Sequence, residues 1–167
     1  MELASAVNDG ATLLQWTVAL SAASLAGLFD LTTRQIPNQL TLPLLILGYS
    51  VSAAMGGLIG FADAVAGSVL LGLPYVLLFA LAGGGAGDAK IMAGLGAWLG
   101  AANGAVVLFA VSLAGVALAL LVLFVWVLTA GRAADSWSFA RRKRIPYGVA
   151  VGVGAWLAAV GVMQWRW

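Results

Sequence analysis

Residues 104–130 read GAVVLFAVSLAGVALALLVLFVWVLTA, a run with no charged side chain and no proline. The hydrocarbon core of a bilayer is ~30 Å thick and is crossed by ~20 helical residues. Inside it the backbone finds no water, so a run of this length must pair its amides and carbonyls internally, as a helix does. The stretch therefore predicts a membrane-spanning helix. Five more apolar runs fall at about 11–31, 39–57, 61–82, 89–102 and 146–165, separated by Asn, Pro, Gly or charge clusters that mark turns. Together they predict an all-α polytopic membrane protein with six transmembrane helices, forming one integral-membrane domain over residues 1–167.

Composition agrees. Of the 167 residues 63% are hydrophobic and 8% charged, with a mean hydropathy of +1.05, whereas a soluble domain carries about a quarter charged residues. Six spans of ~20 residues use about 120 of them and leave under ~50 for every loop and both ends, so no separate soluble domain is expected within these residues. The shortest run is 89–102, and its boundary with the next rests on Asn103-Gly104 alone, so a fused long helix is the competing reading. Pro43 sits near the start of the second run, where a missing N–H does little harm, while Pro74 lies inside the third and predicts a kink. The 22 glycines permit close helix contacts, but no repeat relates two halves of the chain.

The charges orient the bundle. Arg34 follows the first run, Lys90 the third, and Arg132, Arg141, Arg142, Lys143 and Arg144 the fifth, while Arg166 alone lies on the other side. The positive-inside rule then puts these odd-numbered loops in the cytoplasm and both termini outside. The Arg141–Arg144 cluster is read as a topology signal rather than a docking site, and no nucleic-acid partner is expected. Glu2 and Asp9, with no Lys or Arg beside them, do not resemble the leading region of a secretory signal, so the first run is expected to be a retained helix. Trp165 and Trp167 fit an outer interfacial anchor. With no cysteine and no histidine, the chain has no disulfide, thiolate zinc site, cysteine nucleophile or imidazole base. Neither metal nor cofactor is expected.

Acidic residues are few enough to weigh singly. Glu2, Asp9 and Asp63 fall on the outer face and Asp135 in the basic loop, all read as solvated surface charges. Asp30 closes one apolar run and Asp88 opens another, both at the cytoplasmic edge. A carboxylate at membrane depth is costly unless paired, hydrated or neutralised, and so is a functional candidate. Capping competes with that reading, because an Asp at a helix N-terminus accepts backbone N–H bonds and suits the dipole. Asp88, however, follows Gly83-Gly84-Gly85-Ala86-Gly87, where the backbone is free to take positive φ and another chain can approach closely. If the helices carrying Asp30 and Asp88 meet, the two carboxyls share a proton, and one serves as base while the other acts as acid.

The string Gly84-Gly85-Ala86-Gly87-Asp88-Ala89-Lys90 resembles the GxGD motif of intramembrane-type aspartyl proteases in the form found in prepilin peptidases. Asp30 followed by Ile36-Pro37-Asn38 resembles the first motif of the same family. The resemblance extends over most of the chain. It implies a GxGD-protease-like bundle and a type IV prepilin leader peptidase, and more narrowly the chain looks like the short form serving Flp-type (tight-adherence) pili. By the same resemblance Asp30 and Asp88 are catalytic, and Gly85 and Gly87 shape the turn presenting Asp88. Lys90 is expected to snorkel to the interface, and Pro37-Asn38 to end the loop and cap the second helix.

The implied reaction is removal of a short basic leader from a prepilin or pseudopilin at the cytoplasmic face of a bacterial inner membrane, with the lipid bilayer as the other partner. The leader is expected to enter a gap near residues 83–87. Larger family members carry a cysteine-bearing cytosolic segment and also N-methylate the product; this chain is expected to act as a peptidase alone. A small proton-coupled transporter using the same two aspartates is the competing class. Oligomeric state is left open.

Overall fold

A computed structural model describes residues 2–33, 35–82, 86–130 and 147–164. Among them there is no strand, and four helices follow in order: α1 (Glu2–Thr32), α2 (Asn38–Ala82), α3 (Ala86–Ala130) and α4 (Tyr147–Gln164). Segments Thr12–Thr32, Asn38–Leu81 and Ala86–Val125 are each long and apolar enough to cross a membrane.

Both α2 and α3 have 45 residues, and a straight helix of that size would be roughly 68 Å long, more than twice the ~30 Å of hydrocarbon available. Each folds back at one glycine instead. Gly57 has φ 59° and ψ −143°, and Gly100 has φ 70° and ψ −175°, a region essentially closed to any residue with a Cβ. The reversal in α2 brings the Tyr49 and Phe61 rings edge to face with centroids 5.7 Å apart, whereas 12 positions along a straight helix would separate them by roughly 18 Å. The helical dihedrals of α2 are interrupted at Gly57, and Pro74 lies within continuous helix.

The break in α3 therefore falls three residues before the expected Asn103-Gly104 boundary, and Asn103 is helical. Two causes place it there. Glycine alone takes the Gly100 conformation readily, and the Asp63 carboxylate accepts the backbone N–H of Ala101 at 3.1 Å, satisfying one of the orphan donors that open the new limb. Asp63 is exposed as expected, but it is also a cap supplied from another helix.

The first limb of α3, residues 86–99, is the short run whose span was hardest to read. It lies between the two limbs of α2. Ser52 Oγ donates to the Ala97 carbonyl (3.1 Å), Trp98 Nε1 to the Leu44 carbonyl (2.8 Å) and Ser68 Oγ to the Ala93 carbonyl (2.9 Å). Ile91, Met92, Leu95 and Ala97 are completely buried. The second limb instead exposes Leu113, Leu120, Leu121, Phe124 and Leu128, the surface expected of a helix facing lipid. Helices α1 and α4 pair along their length, with Trp156 Nε1 donating to Ser24 Oγ at 3.1 Å, and α4 also packs on α3. Asn38 and Lys90 share one end of the bundle, while Asp63, Gly57 and Gly100 lie at the other.

Candidate active site

Asp30 lies in the last turn of α1 and is half-buried. A helix C-terminus disfavours a carboxylate, but a second helix offsets that: Asp30 Oδ2 accepts the backbone N–H of Gly148 at 2.7 Å. Gly148 is the second residue of α4, so its N–H is one of the donors that the helix itself leaves unpaired, at the positive end of its dipole.

Asp88 occupies the first turn of α3 and is also half-buried. There the dipole of its own helix suits a negative charge. Helices α1 and α3 are in contact, and the Asp30 carboxylate is near enough for its charge to act on Asp88. Residues 58 positions apart in the chain, 30 and 88, thus come within electrostatic reach of one another.

The flanking motif residues interlock. A Cβ on Gly87 would stand 3.0 Å from Ile36 Cβ, tighter than ordinary contact, so this glycine lets the start of α3 lie against the loop before α2. Among the described glycines, positive φ occurs at Gly57 and Gly100, so Gly87 serves close approach. Gly85, with Gly83 and Gly84, lies outside the described residues, as do Arg34, Asp135 and the Arg141–Arg144 cluster. The carbonyl of Pro37 accepts from the N–H of Leu40 at 3.0 Å and of Thr41 at 3.3 Å, opening α2. Asn38 Oδ1 accepts from Lys90 Nζ at 2.7 Å, so Asn38, expected as a cap, ties the two motifs together. Lys90 is exposed, as a snorkelling lysine would be, but it has a defined protein partner.

Two apolar grooves adjoin this end. One, of about 470 Å³, lies between α1 and α4 and is lined by Gly27, Leu31, Val149 and Trp156. The other, of about 410 Å³, lies between α2 and the first limb of α3, with Ala89 and Lys90 in its wall. Among the described residues no three His, Cys, Asp or Glu side chains gather as metal donors. What this end of the bundle offers is two carboxyls, Asp30 and Asp88, on helices that touch.

Gly148 was not singled out from sequence. Its only signal there is the Pro146-Tyr147-Gly148 string ahead of the last apolar run, which says nothing of Asp30.

Residues 17–120 match the profile of the type IV leader peptidase family. A prepilin leader peptidase/N-methyltransferase of Neisseria gonorrhoeae is 32% identical over 175 residues, covering 94% of this chain and 55% of that protein. Its counterparts in Aeromonas hydrophila and Aeromonas salmonicida are each 33% identical over 166 residues, again covering 94% of this chain but 51% of theirs. The chain thus spans about half the length of these relatives. No solved structure matches.

Proposed function

Because the chain belongs to the type IV leader peptidase family, we propose that it is an aspartic endopeptidase that removes the short basic leader of Flp-type prepilins or pseudopilins. The placing of Asp30 in the last turn of α1 and of Asp88 in the first turn of α3, two helices that touch, carries this reading. In the reaction one ionised carboxyl takes a proton from water as the water oxygen attacks the scissile carbonyl carbon. The protonated partner donates a hydrogen bond, then its proton, to the carbonyl oxygen. As the tetrahedral intermediate collapses and its C–N bond breaks, the carboxyl that took the proton from water gives it to the leaving amine, and the other carboxylate takes a proton from an O–H of the intermediate, which restores the pair. The apolar part of the substrate stays in lipid while its leader junction, unwound, meets the carboxyls at the headgroup level. Acidic charge there attracts the basic leader. The expected entry gap at 83–87 falls largely outside the described residues. The transporter reading draws no support from the family.

Co-expression with a leader-bearing precursor in a host lacking its own leader peptidase tests the proposal. The expected result is a shorter precursor cut at the junction of leader and hydrophobic segment, its new amino terminus unmethylated when read by mass spectrometry. Uncut precursor beside well-inserted protein would reject the peptidase, and a methylated terminus would reject the restriction to peptidase activity.

We also propose six membrane crossings, with the aspartate end in the cytoplasm of a bacterial cell and both termini outside. The Gly57 and Gly100 reversals divide α2 and α3 into two limbs each, which with α1 and the shorter apolar α4 makes six. Because residues 1–167 contain no cysteine, single cysteines report location cleanly. A thiol reagent that does not cross membranes is expected to label Leu58→Cys in intact cells and Gln35→Cys only after lysis; the reverse pattern would invert the topology.

The Lys90–Asn38 bond is expected to help hold the two motifs in register. An exposed hydrogen bond is worth about 1 kcal/mol, so Lys90→Ala should slow cleavage by less than ~10-fold with unchanged protein level. A complete loss would give Lys90 a direct part in the chemistry.

A further inference from the structure

We propose that Gly148 is a positioning residue for Asp30, making the first turn of α4 the third element of the site alongside the ends of α1 and α3. The inference rests on the reading of Asp30 as a catalytic carboxyl. Two independent features of the same contact carry it. The backbone N–H of Gly148 donates to Asp30 Oδ2 at 2.7 Å. The residue is also confined to glycine by what surrounds it, since a Cβ there would stand 2.7 Å from Asp30 Cβ and 3.1 Å from both Asp30 Cγ and the Ala26 carbonyl oxygen. The Ala26 carbonyl belongs to the α1 backbone and cannot swing aside, so relief comes only from moving Asp30 or parting the helices. An α-helix also leaves its first N–H groups unpaired, and here one of them is spent on a carboxylate 118 residues away in the chain. The bond engages one carboxyl oxygen, Oδ2, and restricts the rotation of the group.

Gly152, one turn further along the same helix, provides the control. It too faces α1, but a Cβ there would meet the Ala23 carbonyl oxygen at 3.5 Å, an ordinary contact. Both positions lie in α4, and only at 148 does an added Cβ press on the carboxyl. Cleavage of a synthetic precursor by the full chain in detergent is the assay. Gly148→Ala is expected to lower kcat roughly 10–100-fold, the scale of a small displacement of a catalytic group, with KM within about 2-fold, while Gly152→Ala matches the natural protein in both. Wild-type kcat in Gly148→Ala, or an equal loss in Gly152→Ala, would overturn the proposal.

A measurement on the bond itself covers the case in which Gly148→Ala does not accumulate. Tyr147-Gly148 is the only Tyr-Gly pair in the chain, so carbonyl-labelled tyrosine with ¹⁵N-glycine isolates a single amide signal. That signal is expected to shift in Asp30→Ala and to stay put in Asp63→Ala; indifference to Asp30→Ala would overturn the proposal. The two readings fail separately. Normal cleavage by Asp30→Asn rejects the catalytic role of Asp30, whereas normal cleavage by Gly148→Ala beside an inactive Asp30→Asn rejects the positioning role alone.

Discussion

Asp30→Asn and Asp88→Asn each abolish precursor cleavage, with a loss of at least ~10³-fold expected for removal of a general acid or base, while both variants insert and accumulate like the natural protein. The choice of asparagine gives this result its meaning. Asp88 sits in the first turn of α3 and Asp30 receives the N–H of Gly148 at the start of α4, so each has a ready structural role as a cap. Asparagine caps a helix about as well as aspartate, and its amide oxygen still accepts the Gly148 N–H. It cannot take a proton from water. A purely structural role therefore predicts two nearly normal enzymes, and a catalytic pair predicts two inactive ones. Asp63 completes the comparison, because it too accepts a helix-opening N–H, that of Ala101 at 3.1 Å, but at the opposite end of the bundle. Asp63→Asn is expected to cleave normally. Cleavage by either Asp30→Asn or Asp88→Asn at more than about a tenth of the natural rate would reject the pair, since one surviving carboxyl cannot be base and acid at once.

What could be read in advance divides along physical lines. The membrane class and the apolar runs follow from composition and length, which depend on no tertiary contact. The two aspartates stand out as charges in places where charge is costly, and the surrounding motif residues make them the candidates. The end of the run at 89–102 was harder. A run of that length suits a span only if protein, rather than lipid, surrounds it, and the burial of Ile91, Met92 and Leu95 between two other limbs is a property of packing. The true break at Gly100 depends on Asp63, 37 positions earlier, an acid with every appearance of an ordinary surface charge. Asn38 was assigned to a local cap because the lysine that holds it, Lys90, lies 52 residues on. Gly148 escaped notice because a glycine near a helix start is unremarkable until the carboxyl it accommodates is known. In each case the missing term was a partner distant in sequence.

Of the expected effects on folding, the largest belong to the reversing glycines. Gly56 and Gly57 are neighbours, and a Cβ at either would meet nothing within 4 Å. They differ in backbone: Gly57 has φ 59° and ψ −143°, and Gly56 keeps the helical dihedrals of the limb before it. Gly57→Ala is therefore expected to lose about 1–3 kcal/mol to strain alone, while Gly56→Ala is neutral or gains up to about 1 kcal/mol of helix propensity. Gly100→Ala should lose more than Gly57→Ala. It meets the same backbone strain, and its Cβ would also run into the Asp63 carboxylate, driving it off the Ala101 N–H and leaving the second limb of α3 uncapped. Thermal unfolding of the three purified variants is expected to rank Gly56→Ala highest and Gly100→Ala lowest. If Gly57→Ala proved as stable as Gly56→Ala, the reversal would not require left-handed backbone. The same ranking should reappear in cleavage, because the first limb of α3 begins at Asp88's turn and ends at Gly100. Any slip in where that limb ends displaces the carboxyl at its start.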